Sequence, residues 1–328
     1  MWADFIGGRA MGRFLMWAFV AAVIVAAAVS VQFRRDLERA RAAARDGGQL
    51  IETRAGLIEY GERGEGPPLF SIHGAGGGYD QGLSLAANLV GEEFRIIAPS
   101  RFGYLRTLEP EEASAEAQAD AHAALMDALE IPQAMVLGVS AGALSAMELA
   151  LRHPEKVRAL ILIVPASYSP DDPVRIVENR GNAFAFWAVN NGGDFAWWAA
   201  ERMAPSALVR FVGVPPQIVA DAPAAERRRV AEILAAMQPL SARMRGINID
   251  SMGDLRARPL EHIGAPTLAI SARDDLFNTA PAAEYSASRI PNARLVLFEN
   301  GGHLLVGRSD ETRAAVRAFL EGAAVSGT

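Results

Sequence analysis

Three short stretches hold residue types that could do chemistry together. Residues 138–142 read Gly138-Val139-Ser140-Ala141-Gly142, at the end of an apolar run that starts at Ala134. Residues 299–303 read Glu299-Asn300-Gly301-Gly302-His303, directly after the run Arg294–Phe298. Between them, Ser271-Ala272-Arg273-Asp274-Asp275 follows a run that starts at Thr267. A serine hydroxyl is a weak nucleophile until a base takes its proton, and an imidazole base needs a carboxylate to orient it. Ser140, His303 and one of the two aspartates can supply those parts.

Gly-x-Ser-x-Gly has a mechanical reason. A serine at the tip of a tight strand-to-helix turn projects its hydroxyl above a sheet, and the flanking glycines Gly138 and Gly142 let strand and helix approach without a Cβ clash. The helix that follows offers free N–H groups and a positive dipole end to a developing oxyanion. Each part also has an ordinary reading: the five-residue match as chance in a glycine-rich chain, His303 as an exposed loop residue, the aspartates as surface turn residues. What favours chemistry is shared position, since each lies just after an apolar run. Asp274 and Asp275 are not separated by their spacing.

A fourth stretch, "LFSIHGAGGG" over residues 69–78, ends an apolar run in a nearly all-glycine loop. Phosphate-cradle patterns fail on spacing: Gly-x-Gly-x-x-Gly from Gly74 would need glycine at Tyr79, and no Gly-Lys-Ser/Thr follows. The remaining histidines have structural readings: His122 inside a helix, His153 at a helix end before proline, His262 before a strand. Arg101 and Arg106 could meet a substrate carboxylate, although solvated loop charge accounts for them more simply. No His/Asp/Glu cluster has metal spacing, so neither a metal nor a cofactor is expected.

The elements that must position these residues alternate. Strands are expected at Leu57–Glu62, Leu69–Ile72, Arg95–Pro99, Ala134–Val139, Arg158–Val164, Thr267–Ser271 and Arg294–Phe298. They are short apolar runs of the kind buried on both faces. Helices are expected at Leu83–Val90, Ser114–Leu129, Ala141–Arg152, Ala280–Arg289 and Asp310–Leu320. That alternation predicts an α/β fold with a mostly parallel sheet covered by helices. Residues 166–255 break it. They are helical and carry Phe184, Phe186, Trp187, Phe195, Trp197, Trp198 and Phe211. A helical cap inserted between two strands, lending apolar walls to a site, fits this better than helix packing alone.

The 328 residues carry a net charge of -6 and no cysteine, which speaks against a nucleic-acid partner and excludes thiol chemistry and disulfides. Residues 1–46 differ from the rest. Phe14–Phe33 is 20 residues without a charge, enough to span a hydrocarbon core of about 30 Å. It is expected to be a single-pass membrane anchor, with Arg34–Asp46 as a helical stalk before the catalytic part, residues 47–328. A signal peptide cleaved near Ala28 and Ser30 is the alternative. Arginines are fewer before the span (Arg9, Arg13) than after it (Arg34, Arg35, Arg39, Arg41, Arg45), which by the positive-inside rule puts the catalytic part in the cytoplasm.

Gly138–Gly142, His73-Gly74, Asp274-Asp275 and Gly302-His303 together resemble the α/β-hydrolase superfamily, in its serine-nucleophile, cap-containing branch, over about residues 50–325. The resemblance implies Ser140 as nucleophile, His303 as base and Asp275 as acid, because the family's acid stands three positions after the small residue that ends its strand, here Ala272. The alternative acid position, Val164–Ser169, holds no carboxylate. The resemblance further implies an oxyanion hole from the backbone N–H groups of Ala75 and Ala141, with His73 a structural loop residue beside Gly74. Ser140 separates the chain from the dehalogenase and epoxide-hydrolase branches, which place aspartate there. One departure stands out: where relatives carry Asp-x-x-Gly-x-Gly, this chain has Ser100-Arg101-Phe102-Gly103-Tyr104. The expected activity is hydrolysis of a small-molecule carboxylic ester with an apolar part. Carbon–carbon, amide, thioester or perhydrolase chemistry is the alternative within the fold, and a silent binding protein a remoter one.

Overall fold

The computed structural model describes residues 2–174 and 193–325. Its centre is an eight-stranded sheet: β1 Gln49–Thr53, β2 Gly56–Arg63, β3 Pro68–Ile72, β4 Arg95–Pro99, β5 Ala134–Val139, β6 Val157–Ile163, β7 Thr267–Ala272 and β8 Arg294–Phe298. The order across the sheet is β1-β2-β4-β3-β5-β6-β7-β8. β1 and β2 form an antiparallel hairpin, β2 is antiparallel to β4, and every pairing from β4 to β8 is parallel. β1 is absent from the sequence-based reading. As a largely exposed edge strand with the sequence QLIET, it lacks the apolar run that marks the central strands.

Helices α2 Tyr79–Val90, α3 Ala115–Ala128, α4 Gly142–Arg152, α10 Ala280–Arg289 and α11 Ser309–Val325 cover the sheet. One apolar cluster fills the α3/α4 side, with Phe70, Leu125, Met126 and Met147, and a second fills the α2/α11 side, with Leu69, Ile161, Ile270 and Phe319. Core strands buried on both faces explain why they read as continuous apolar runs.

Between β6 and β7 the chain leaves the sheet and forms α5 Gly193–Met203, α6 Pro205–Phe211, α7 Pro216–Asp221, α8 Ala224–Ala236 and α9 Met244–Ser251. This is the inserted cap. Its core gathers Trp197, Leu208, Val209, Val230, Leu234, Met237, Leu240 and Ile247, and it sits on Tyr104 and Val306 of the sheet domain.

Helix α1 spans Trp2–Asp46 without a break, so the stretches expected as anchor and stalk form one continuous helix. From Met11 it is long and apolar enough to cross a membrane, and its most apolar window is fully exposed. Its far end docks. Phe33 meets Phe195 and Trp198 edge-on, Asp36 accepts from Trp198 Nε1 at 3.0 Å, and Tyr79 Oη donates to the carbonyls of Ala43 and Ala44.

Candidate active site

The strand order reverses at β3/β5: the chain moves from β3 outward to β4, then returns to place β5 on the other side of β3. Two adjacent strands therefore send their loops apart, which opens a crevice at their carboxyl ends. The His73–Gly78 loop leaves β3 there, and the Ser140 turn leaves β5.

Ser140 has φ of 50°, a left-handed conformation that costs energy for a non-glycine residue and persists because the surroundings hold it. Its N–H donates to Ile163 O at 2.9 Å, and its carbonyl accepts from Ala143 N and Ala166 N. The flanking glycines are obligatory by contact. A Cβ on Gly138 would stand 2.5 Å from Ala146 Cβ, and one on Gly142 only 2.4 Å from the His73 carbonyl oxygen.

His303 Nε2 lies 2.8 Å from Ser140 Oγ, and Nδ1 lies 2.7 Å from Asp275 Oδ2. The Asp275 carboxylate is buried and accepts two further bonds, from Thr279 Oγ1 and from Phe277 N at 2.8 Å. Asp274 does something else: its two oxygens accept the N–H groups of Gly302 at 2.8 Å and Gly301 at 3.2 Å. Ser140, His303 and Asp275 thus form one continuous chain of hydrogen bonds, and the neighbouring carboxylate holds the backbone beneath the imidazole. A carboxylate that fixes Nδ1–H leaves Nε2 free to take a proton from the serine.

Ala75 and Ala141 both line the cavity above Ser140. Among the described residues neither backbone N–H has a hydrogen-bond partner, and Ala141 stands at the N-terminus of α4. Two free donors beside a serine, one at a positive dipole end, suit an oxyanion. Gly74 stands close to Ser140, its would-be Cβ 3.1 Å from Ser140 Cβ.

His73 is fully buried and held neutral, its pKa driven well below the ordinary range by loss of solvation and by Arg101. Its Nδ1–H donates to Gly74 O at 2.7 Å, and Nε2 accepts from Arg101 N at 3.0 Å. His122 pairs with Ser145 Oγ at 3.2 Å and is also held neutral, its pKa lowered to about 3 by burial and by Arg101. His153 bonds Asp120 at the surface. Arg101 and Arg106 are both held by buried carboxylates, Arg101 out of solvent and Arg106 partly exposed. Arg101 is buried against Asp250, and Arg106 reaches the buried Glu59 at 2.6 Å. Their carboxylate partners are distant in sequence, which is why local reading assigned them to solvent.

The cavity above Ser140 measures about 1030 Å³. Its walls are mainly aliphatic, with Leu85, Ile233, Met237, Leu240 and Ile247 prominent. Of the cap rings singled out in the sequence, Phe211 lines it. Trp197 packs inside the cap, Phe195 and Trp198 pack on α1, and Phe184, Phe186 and Trp187 lie outside the described residues. Among the described residues the wall is apolar, as expected, and mostly aliphatic, while Trp197, Phe195 and Trp198 are used to assemble the cap and its contact with α1.

Two supports had no sequence signal. Gly213 in the cap accepts from His303 N at 3.1 Å and Leu276 N at 3.0 Å, and a Cβ there would stand 2.7 Å from His303 Cβ. Phe277 meets the His303 ring edge-on at 4.7 Å.

Comparison with known proteins agrees with this architecture. Residues 67–307 match the model of the alpha/beta hydrolase fold family. A 2-hydroxymuconate semialdehyde hydrolase of Pseudomonas putida is 29% identical over 253 residues, covering 74% of this chain and 82% of that protein. A pimeloyl-[acyl-carrier protein] methyl ester esterase of Aromatoleum aromaticum is 35% identical over 184 residues, covering 53% and 68%. Among solved structures, an alpha/beta hydrolase fold protein from Nakamurella multipartita superposes with a TM-score of 0.65 at 26% identity, covering 83% of this chain and 98% of its own. A membrane phospholipase A described as a bacterial virulence factor superposes with a TM-score of 0.63 at 27% identity, covering 95% and 98%. Coverage of 95% reaches into α1. With its sheet order, its Gly-x-Ser-x-Gly turn and a family match over most of its length, this chain belongs to the alpha/beta hydrolase fold family.

Proposed function

We propose that this protein is a membrane-anchored serine hydrolase that cleaves carboxylic esters with a long apolar part through an acyl-enzyme. The observation that carries the reading is the unbroken Ser140–His303–Asp275 hydrogen-bond chain opening onto a large aliphatic cavity. His303 takes the proton from Ser140 Oγ as it attacks the ester carbon. The N–H groups of Ala75 and Ala141 receive the oxyanion, a contribution of about 3–4 kcal/mol per donor. Protonated His303 then releases the alcohol, and water attacks the acyl-enzyme with His303 again as base. Asp275 keeps the imidazole in the required tautomer and stabilises its charged form throughout.

The apolar helix α1 and the membrane enzyme among the structural neighbours support an ester that resides in or beside a bilayer. Anchoring through residues 14–33 is part of the same proposal, with the catalytic part on the cytoplasmic side by arginine balance. Protease access to the catalytic part in intact spheroplasts would overturn that orientation. Carbon–carbon bond hydrolysis is the second reading, favoured by the Pseudomonas putida relative. One assay separates them: the full-length protein in detergent with esters of rising chain length, a thioester, an amide and a vinylogous 1,5-diketone. Turnover confined to the diketone would replace the ester reading. A fluorophosphonate probe that labels the wild type but not Ser140→Ala tests the nucleophile itself.

A further inference from the structure

The loop that follows β3 is poorly suited to hold its own shape. Four of the five residues between His73 and Tyr79 (Gly74, Gly76, Gly77, Gly78) are glycine, and each glycine widens the conformations open to the chain. Its order has to come from outside. Arg101 Nε donates to His73 O at 3.0 Å, Gln81 Oε1 accepts from Gly74 N at 3.0 Å, Tyr104 Oη accepts from Gly76 N at 3.3 Å, and Arg243 Nη1 donates to Gly77 O at 2.6 Å.

Three of those four side chains are tied across the boundary between sheet domain and cap. Arg101, from the loop after β4, meets Asp250 of cap helix α9 with two bonds of 2.7 Å. Tyr104 Oη donates to the same Asp250 carboxylate. Arg243, at the start of α9, meets Asp80 of α2 at 2.6 and 3.1 Å. The pairs are crossed: the sheet domain contributes one cation and one anion, and so does the cap. Leu105 N to Ala242 O at 2.8 Å and Gly246 N to Gly103 O at 3.0 Å seal the seam. A Cβ on Gly246 would stand 2.1 Å from the Tyr104 ring, so the cap lies directly on that ring.

A buried ion pair is weak evidence for stability, since desolvation offsets the attraction, but it is strict about geometry. Arg101 and Asp250 are each less than a tenth exposed and Arg243 is wholly buried. The stretch that departs from the family pattern, Ser100–Tyr104, is the one that supplies Arg101 and Tyr104.

We propose that Arg101–Asp250, with Tyr104 bonded to the same carboxylate, and Arg243–Asp80 form a latch by which the seated cap positions the Ala75 N–H for the oxyanion, making these five residues positioning residues for transition-state binding. The proposal rests on the oxyanion-loop reading above. In this arrangement Tyr104 is the sharpest probe, because Tyr104→Phe removes one hydroxyl and leaves both ion pairs in place. The test uses full-length protein in detergent, a short soluble ester, active sites titrated with a fluorophosphonate, and a reversible trifluoromethyl ketone. That ketone adds Ser140 Oγ to its carbonyl carbon, passes the serine proton to His303 and leaves an oxyanion facing the loop.

For Tyr104→Phe, kcat per titrated site should fall about tenfold with KM within twofold, and ketone binding should weaken by a matching factor, the size expected for a sub-ångström misplacement. Asp250→Asn should fall further in the same pattern, and Asp250→Glu should recover part of it. Unchanged kcat per site, a loss confined to the number of titratable sites, or a rise in KM alone would each overturn the latch. Should Asp250→Asn fail to fold, Tyr104→Phe still decides. Ser140→Ala separates the layers: an active Ser140→Ala defeats the underlying mechanism, whereas an inactive Ser140→Ala beside a fully active Tyr104→Phe defeats the latch alone.

Discussion

Asp274 and Asp275 are neighbours in the chain, and one binds the His303 ring while the other binds the backbone that leads into it. Asp275 Oδ2 meets His303 Nδ1 at 2.7 Å, while the Asp274 oxygens hold the N–H groups of Gly301 and Gly302 just before it. The two carboxylates should separate cleanly on mutation. Asp275→Asn keeps the shape but favours the wrong imidazole tautomer, so kcat should fall by about 10³–10⁴ with the fold intact. Asp274→Ala frees two backbone donors in a partly buried loop. It should cost about 1–3 kcal/mol of stability and about tenfold to a hundredfold in kcat through misplacement of the ring. Steady-state kinetics on one ester with urea unfolding of both variants checks this. Equal kinetic losses would count against distinct roles.

Thr279 is the buried group behind Asp275, donating to Oδ2 and sitting 2.9 Å from Ser271 Oγ. Thr279→Val keeps the volume and removes the donor, leaving a buried carboxylate with one bond fewer. We expect kcat about tenfold lower and stability down by about 1.5–3 kcal/mol, as for a hydrogen bond to a charged group. A variant with wild-type kcat would show that Phe277 N and His303 suffice.

The tight elbow makes a steric prediction. In Gly142→Ala the new Cβ meets the His73 carbonyl at 2.4 Å, a backbone atom that cannot swing aside. Overpacking of this kind costs about 1–3 kcal/mol or more, and here it pushes β3 away from the serine turn. Both a lower urea midpoint and a lower labelling rate by the fluorophosphonate are expected. A midpoint unchanged from wild type would contradict the packing described.

Cavity shape should govern chain length. Ile233 of cap helix α8 is one of the wall residues. Ile233→Trp should leave kcat/KM for an acetyl ester within about threefold and lower that for a long acyl ester by about tenfold or more, since poorly fitting apolar substituents cost roughly 1–3 kcal/mol. A parallel drop for both esters would place the acyl chain elsewhere.

Two buried histidines link stability to pH. His73 and His122 are neutral in the fold because burial drives their pKa values down, to about 3 for His122, from an ordinary value near 6.5. The unfolded chain therefore binds protons below pH 6.5 that the native state does not. Their contribution to stability is complete above that pH and is lost as pH falls toward the native values. The slope is about 1.4 kcal/mol per pH unit for each histidine. Urea unfolding at pH 7 and pH 5 should show it, with the slope reduced by about half in His122→Leu. An unchanged slope in that variant would argue against a neutral buried His122.

The local signals were strong where a residue's role depends on its immediate neighbours. The Ser140 elbow is legible because so tight a strand-to-helix turn needs Gly138 and Gly142 beside it. The central strands are legible because burial on both faces forces apolar runs. The N-terminal helix is legible because a stretch of 20 uncharged residues is rare outside a membrane or a core. The serine, the histidine, the α/β order and the insertion between β6 and β7 follow from that level alone. The choice between Asp274 and Asp275 needed family likeness at the sequence level, and the hydrogen bonds then gave each a separate task.

What the tertiary structure decided lies in pairings between distant segments. Arg101 finds Asp250 and Arg243 finds Asp80, across separations of 149 and 163 residues, and no local pattern announces such a partner. Gly213 reads as a turn glycine until the cap folds down and its carbonyl meets His303 N. Among the described cap rings, Phe211 lines the cavity while Trp197, Phe195 and Trp198 assemble the cap and its seat on α1, a division the sequence does not mark. β1 escaped notice because an exposed edge strand needs no apolar run. In each case the physical reason is the same: charge pairing, close approach and burial are properties of surfaces brought together by the fold, and the amino-acid order records only one side of each contact.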